Sequence, residues 1–498
     1  MGDSNKLKIV FVYRAYESIG IEILSAVLKK NNINTELVYT PSLFKDALVD
    51  NRILYNFFYN EKRIIKQILA KKPDIVGFSS LTDTYRLDLS IAEKLKKISP
   101  NIKIIFGGIH PTVLPEKVLR TNFVDYICIG EGEQAFVELI KDIEKKNFYT
   151  NAKNICYLKN NKFIKNPIRP LIENIDKLPF PDKELFYNKA PYFSNYYTIM
   201  TSRGCPYNCY FCNNNVYREI YNTNKLLRRR SAENVIEELE QGLKKYNFKY
   251  VIFEDDAFVS QKDWTIKFLT LYSQKIKKPF QCLINPRNID DKIAFLLNKA
   301  DCLNVEIGIQ SMEESIRKDF LNRTENIKEI YKCIKSLNKY NVPFNIDHIG
   351  GIPGEKKTNI IKSFAEYLKW KPNRITYFYL TYYPGTKVAK LAQKIGILSK
   401  NEINKIENGY GYSFEHGGNV NNKDLKFHDK IRTIGDWGVF FPKVFRKILF
   451  NKKLFNKIPP GHFTGRIIPA VLKTLSGNEI RGVYILKKYI YHLFRGGF

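Results

Sequence analysis

Three cysteines fall within eight residues, in the run Cys205-Pro206-Tyr207-Asn208-Cys209-Tyr210-Phe211-Cys212. Thiolates carried on one short loop can hold one corner of an iron–sulfur cluster. No fourth ligand stands nearby, so such a cluster keeps one iron open to an outside chelating group, much as a catalytic metal site keeps an open position. A structural zinc site completed by a distant Cys or His is the alternative use of the same spacing. Cys128, Cys156, Cys282, Cys302 and Cys333 have no ligand spacing and read as small buried hydrophobes.

The elements that must position this loop are repeated β/α units. With 498 residues the chain has room for about three domains. Over 1–150, β-rich runs at 7–13, 33–39, 74–79, 102–106 and 125–129 alternate with helical apolar spacing at 17–30, 61–72 and 88–98, which predicts a doubly wound, flavodoxin-like sheet. Its ligand belongs beyond the carboxyl ends of the strands, where the loops carry Ser79, Gly107-Gly108-Ile109-His110 and Gly130-Glu131-Gly132-Glu133. A Pro- and Asn-rich stretch over 151–191 reads as a linker. A second series of strands, at 196–201, 250–254, 280–285, 303–307, 344–349 and 375–380, predicts a partial (β/α)6 barrel over 192–386 with its chemistry at the carboxyl ends of the strands. The remainder, 387–498, reads as a mainly helical region.

The net charge is +31, and residues 437–498 hold twelve Lys and Arg against the single acid Glu479. Interleaved with Phe, Ile, Leu and Tyr, these cations suit either an interfacial amphipathic helix or an ordinary helix with snorkelling lysines. An RRM- or KH-type motif is absent, so nucleic acid is not expected. No run of 18 uncharged apolar residues and no signal-type hydrophobic region occurs, and the reading is cytoplasmic, with peripheral contact to an anionic membrane as the role of the tail.

The CxxxCxxC spacing, with Phe211 before the last cysteine, resembles the signature of radical S-adenosylmethionine (SAM) enzymes. The resemblance implies that Cys205, Cys209 and Cys212 bind a [4Fe–4S] cluster and that its open iron takes the amino and carboxylate groups of SAM. An external electron donor such as flavodoxin or ferredoxin is implied with it. Glu254, Asp255 and Asp256, closing the second barrel strand, resemble the segment that meets the methionine ammonium, although Asp255 and Asp256 could equally cap a helix. Gln310 and Ser311 resemble the ribose motif, and Gly351, Ile352 and Pro353 resemble the segment along the adenine edge. Arg287 and Arg230-Ser231 stand where such enzymes carry polar contacts to SAM, and Tyr383-Pro384-Gly385-Thr386 resembles a further subgroup segment.

A doubly wound domain ahead of such a barrel resembles the cobalamin-binding subgroup, over about residues 7–390. The resemblance implies that Ser79, Gly107, Gly108, Gly130, Glu131 and Gly132 lie along the corrin and its nucleotide tail. GxGxxG and GxxxxGK[ST] are absent, so dinucleotide and P-loop sites lose their fingerprint. So is Asp-x-His-x-x-Gly: the first loop reads Arg14-Ala15-Tyr16-Glu17-Ser18-Ile19-Gly20, and His110 before Pro111 reads as a hydrogen-bonding loop residue. The expected function is C-methylation of an unactivated carbon in a lipid-like or other small-molecule substrate. Ring-forming oxidation of a tetrapyrrole-like substrate, as in the anaerobic magnesium-protoporphyrin monomethyl ester cyclase, is the alternative within the superfamily. A non-enzymatic cobalamin or redox sensor is the alternative of another class. Because no histidine is offered beneath cobalt, the electron paramagnetic resonance spectrum of the Co(II) form should lack nitrogen superhyperfine splitting, and a clear nitrogen triplet would contradict this reading.

Overall fold

A computed structural model describes residues 7–46, 51–411 and 424–442, together with 418, 446, 448–458, 468–469, 472–473 and 480–494. Lys443, Lys447, Arg466, Glu479 and Arg495 of the basic tail lie outside the described residues.

The first sheet contains β1 (Lys8–Arg14), β2 (Asn34–Thr40), β3 (Ile75–Ser79), β4 (Lys103–Gly107), β5 (Tyr126–Cys128), β6 (Ile155–Lys159) and β7 (Lys162–Lys165), in the order β2-β1-β3-β4-β5-β6-β7. Both faces are covered, which is why β1 is apolar at consecutive positions. Ile9 and Phe11 enter the core shared with helices Ile19–Lys30 and Glu133–Glu144, while Val10 and Val12 enter the core on the opposite face with Ile64, Ile68, Ile91 and Leu95. The strand order reverses between β1 and β3, where a doubly wound sheet opens its ligand crevice. The stretch read as a linker carries the β6–β7 hairpin, antiparallel to β5. Its two-residue turn is Asn160-Asn161, both at positive φ (49° and 61°), the conformation that a tight hairpin requires and that Asn tolerates.

The second sheet is built from β8 (Tyr196–Ile199), β11 (Tyr250–Phe253), β12 (Phe280–Ile284), β13 (Cys302–Gln310), β14 (Phe344–Gly350) and β15 (Arg374–Tyr379), all parallel, in the order β15-β14-β13-β12-β11-β8. A short antiparallel ladder, β9 (Ser202–Arg203) with β10 (Arg228–Arg229), brackets the cysteine loop. Helices cover the outside of the sheet around a core that includes Phe253, Phe268, Tyr272 and Phe280.

Two buried ion networks join the parts. Lys183 donates to Glu17 (2.7 Å), to Glu22 (2.8 Å) and to the Thr198 carbonyl (2.7 Å), so one ammonium ties helix Ile19–Lys30 and its approach to the first barrel strand. Lys488 donates to Asp46 at 2.7 Å with both side chains fully buried, which fastens the carboxyl-terminal helix Ile480–Phe494 onto the first domain. No helix among the described residues is long and apolar enough to cross a membrane.

Burial pushes three imidazoles down, His110 and His428 to about 4 and His348 to about 3. Each is neutral in the folded state over a range in which the unfolded chain takes up a proton. Stability should therefore be full above about pH 6.5 and fall on acidification, by up to about 1.4 kcal/mol per pH unit for each histidine. Urea midpoints measured between pH 7.5 and 5 would check this; a flat profile would show that the three imidazoles are charged in the fold.

Candidate functional site

The cysteine loop is held from all sides by main-chain contacts. Asn215, fully buried at the start of helix Asn214–Ile220, donates to the carbonyls of Cys209 (2.9 Å), Tyr210 (3.1 Å) and Cys212 (2.5 Å). From the same helix Arg218 donates to the Cys205 carbonyl at 2.5 Å, and Asn322 donates to the Asn208 carbonyl at 2.7 Å. The loop is thereby shaped without using its thiols. Asn214 meets the Cys212 sulfur at 3.5 Å through its backbone and its side-chain amide, and Arg323 is a hydrogen-bonding neighbour of Cys209.

Burial pushes the Cys205 and Cys212 thiols up to about 12, and raises Cys209 against the opposing charge of Arg323. Thiols in such a place ionise when a metal takes them, since coordination deprotonates a thiol outright. Among the described residues no three His, Cys, Asp or Glu converge on a single ion. A cluster of several irons asks instead for one thiolate on each of three irons, which a loop with separated sulfurs supplies.

The carboxylates after β11 divide between two tasks. Asp255 is buried and accepts from the Thr201 amide (3.0 Å), the Thr201 hydroxyl (2.8 Å) and Ser202, so it pins the entry to the cysteine loop onto the neighbouring strand. Glu254 and Asp256 are exposed to two cavities described below, and Asp256 accepts from Asn214 at 3.0 Å. Gln310 ends β13 at φ 70°, beside a register shift, with its side-chain oxygen buried and unpartnered. An L-residue held there stores strain of the kind found at ligand sites. Ser311 donates to Glu355 (2.5 Å), whose carboxyl burial raises to about 7. Gly351 has φ 78°, Ile352 packs in a small core with Leu380 and Tyr382, and Pro353 lies between them and Gly354. Arg287 is engaged by Glu329 (3.0 Å) and the Thr324 carbonyl (2.6 Å), and Arg230 by Glu238 (2.5 Å) and Asn234 (2.7 Å). The unpartnered Gln310 oxygen and the Ser311–Glu355 pair are the groups that fit a ribose.

Two cavities share a wall at Met200, just after β8, and neither is lined by Gln310, Ser311, Gly351, Ile352 or Pro353. One, of about 370 Å³, runs from the crevice of the first sheet to the cysteine loop. Its first-domain wall includes Ser79, Gly107, Gly108, Gly130, Glu131 and Gly132, and its barrel wall includes Arg203, Asn214, Tyr221 and Asp256. At Gly130 a Cβ would lie 2.0 Å from the Tyr221 hydroxyl, so no other residue fits between the two domains there. Among the described residues no histidine lines this cavity. His110 lies elsewhere, stacked on Tyr85 at 4.0 Å with Nδ1 3.2 Å from the Thr82 hydroxyl. A narrow glycine-walled crevice at this switch point fits the nucleotide tail of a corrin.

The other cavity, of about 600 Å³, is bounded by the first loop (Tyr13, Tyr16, Glu17), the two outer barrel strands (Thr198 and Thr376), Glu254, and Tyr484 and Ile485 of the carboxyl-terminal helix. Gly20 and Met200 line both cavities.

Sequence reading names Glu131 for the corrin but does not find the arginines that dock the domains. Glu131 accepts from Arg203 (3.0 Å) and Arg228 (2.8 Å), and Arg203 reaches Glu133 at 2.5 Å. Arg203 precedes Gly204-Cys205 by one position, so the glycine-rich loop of the first domain is ion-paired to the base of the cysteine loop. The short β9–β10 ladder is the signal, but pairing over seventy residues leaves no local pattern.

Comparison with known proteins agrees with this geometry. The B12 binding domain model matches residues 9–140, and the Radical SAM superfamily model matches residues 199–366. An uncharacterized methyltransferase of Pyrococcus horikoshii is 28% identical over 72% of this chain and 77% of its own length. The anaerobic magnesium-protoporphyrin IX monomethyl ester cyclase of Rubrivivax gelatinosus is 24% identical over 80% of this chain and 73% of its own. Among solved structures, the cobalamin-dependent SAM radical enzyme OxsB matches with a TM-score of 0.65 at 15% identity, over 98% of this chain and 75% of its own. The radical SAM methyltransferase TsrM from Kitasatospora setae matches with a TM-score of 0.62 at 15% identity, over 78% of this chain and 75% of its own. With a B12 binding domain docked by ion pairs against a cluster-type cysteine loop on a radical SAM barrel, this chain belongs to the cobalamin-binding radical SAM enzymes.

Proposed function

We propose that the protein is a C-methyltransferase that acts on an unactivated carbon of a lipid-like small molecule held in the cavity of about 600 Å³. The observation that carries this reading is the shared wall. Met200 and Gly20 border both the glycine-walled crevice and the larger cavity, so a substrate lies within reach of both cofactor sites. When bound, the cluster and SAM supply a carbon radical able to take hydrogen from an unactivated carbon, and cobalamin supplies the methyl group.

The chain's own residues do the positioning. Arg203 and Arg228 hold the first domain on the cysteine loop through Glu131 and Glu133. Asn214 and Arg323 offer hydrogen-bond donors to the Cys212 and Cys209 sulfurs. Gln310 and Ser311 would hold the ribose of SAM, and Glu254 and Asp256 would accept from its ammonium. Aromatic residues from the first loop, the barrel and the carboxyl-terminal helix, among them Tyr16, Phe378 and Tyr484, wall the larger cavity. Cys209 and Cys212 are only half-buried, which supports delivery of the electron by a separate flavodoxin- or ferredoxin-like donor.

Likeness to the Rubrivivax cyclase favours a second reading, ring-forming oxidation of a tetrapyrrole-like substrate. The two are separated by the product, which gains a methyl group in the first case and loses hydrogen in the second.

Anaerobic protein reconstituted with iron and sulfide should form 5′-deoxyadenosine from SAM under reduction, and Cys205→Ala, Cys209→Ala or Cys212→Ala should abolish this while circular dichroism stays unchanged. Retention of cluster iron and absorption in the triple variant would refute the assignment. Extracts of a strain lacking the protein should lack a methylated lipid-like compound present in the parent. An unchanged methylation pattern beside a missing ring-closed product would favour the cyclase reading.

Glu131→Gln is expected to leave the cluster intact and to weaken domain docking. Removing one charge of a part-buried network costs on the order of 3 kcal/mol, because it strands Arg228 while Arg203 keeps Glu133. Limited proteolysis should then cut between the domains; a wild-type digestion pattern would show that the ion pairs do not hold them.

A further inference from the structure

The carboxyl-terminal helix Ile480–Phe494 carries apolar residues on both its inward and its outward face. Its inward face carries Tyr484, Ile485, Lys488 and His492, all buried, with Lys488 on Asp46 and His492 3.1 Å from the Tyr192 hydroxyl. Its outward face carries Leu486, Ile490 and Phe494, exposed by 54%, 50% and 83%. An exposed strip of large apolar residues of this kind marks a contact surface.

The same surface continues onto the first domain. Phe44 stacks on Phe58 (5.1 Å) and meets Tyr489 edge-on (5.2 Å), which sets helix Arg52–Phe58 beside the carboxyl-terminal helix. Ile53 and Phe57 of that helix are 82% and 80% exposed. They are four residues apart and lie on one face. Cations outnumber acids on this helix and the one that follows it in the chain. Arg52, Lys62, Arg63 and Lys66 are exposed on this helix and the next, while the acid between them, Glu61, is ion-paired to Lys94 at 2.6 Å. No acid occurs within 480–494.

We propose that the outward face of the carboxyl-terminal helix, with Ile53 and Phe57, is a docking surface for an anionic lipid bilayer. Apolar side chains enter the interface and the surrounding Lys and Arg meet the lipid headgroups, the arrangement of a monotopic amphipathic helix. Tyr484 and Ile485 on the opposite face of the helix wall the larger cavity, so the bilayer and the cavity are one helix apart. The surface deepens the lipid-like substrate reading, on which its functional sense rests: a substrate resident in the bilayer reaches the cavity past this helix.

The test uses the full-length protein loaded with its cofactors. Vesicles of equimolar phosphatidylglycerol and phosphatidylcholine should sediment it, vesicles of phosphatidylcholine alone should not, and raised salt should weaken the binding. Leu486→Ser combined with Ile490→Asn, and separately Phe57→Ser, should each lower partitioning by about tenfold or more, since each removes an inserted apolar group. These side chains touch neither cavity, so SAM cleavage and melting temperature should match the wild type and report that the variants fold. Binding that ignores lipid charge, or variants that bind like the wild type, would overturn the proposal. A salt-independent dimer in light scattering that dissociates in the double variant would overturn it too, by assigning the face to a second copy of the chain. Loss of vesicle binding with intact SAM cleavage removes the surface and leaves the enzyme reading; vesicle binding without 5′-deoxyadenosine removes the enzyme reading and leaves the surface.

Discussion

The arginine pair at the base of the cysteine loop is the constraint on which the rest of the molecule depends. Two α/β domains, in contact through a core that joins Ile9 and Phe11 of β1 to Tyr196 and Ile252 of the barrel, must present the carboxyl ends of their sheets to one another with the cavities between them aligned. Hydrophobic contact alone would allow them to slide, because it is non-directional. Arg203 and Arg228 convert that contact into a fixed register by sharing Glu131, and the planar guanidinium of Arg203 reaches Glu133 as well. The charges are largely withdrawn from water, so breaking one costs more than the pair contributes to stability. What the network supplies is position.

Position of the first domain is fixed a second time at Lys183, and a third at Lys488. Lys183 sits between Glu17 and Glu22, and its pKa is raised because both carboxylates favour its charged form over the penalty of burial. Glu17 also borders the larger cavity, so the network that locks helix Ile19–Lys30 to the barrel contributes to the cavity wall. Lys488 does the same from the other side, holding the carboxyl-terminal helix so that Tyr484 and Ile485 close the space. The cavity is thus made of three segments far apart in the chain, each anchored by a buried lysine or arginine.

The fold was legible because buried parallel strands leave runs of apolar residues; all eleven runs read as strands in the two series coincide with strands to within a few residues. The β6–β7 hairpin is not legible, since the prolines that follow it dominate the composition and Asn160-Asn161 is a weaker turn signal than Asn-Gly. At the site, the cysteine spacing was legible because chemistry and spacing coincide on one loop. The carboxylates after β11 were not separable by sequence, since Asp255 is engaged by Thr201 and Ser202 from another strand while its neighbours face the cavities. Arg287 and Arg230 have partners that a sequence does not reveal, Glu329 and Glu238. Long-range ion pairs carry no periodicity, and it is they that assign the charged residues of this molecule.

The Tyr221 hydroxyl occupies the space that a side chain at position 130 would need, and it accepts from the Glu131 amide at 2.9 Å. Tyr221 belongs to the barrel and Gly130 to the first domain. The two domains are therefore matched at this point: a side chain at position 130 would have to push the end of the Tyr221 ring aside and would itself be held at φ 67°. A barrel grafted from another protein keeps this fit only if it brings a ring of the same reach to the same place.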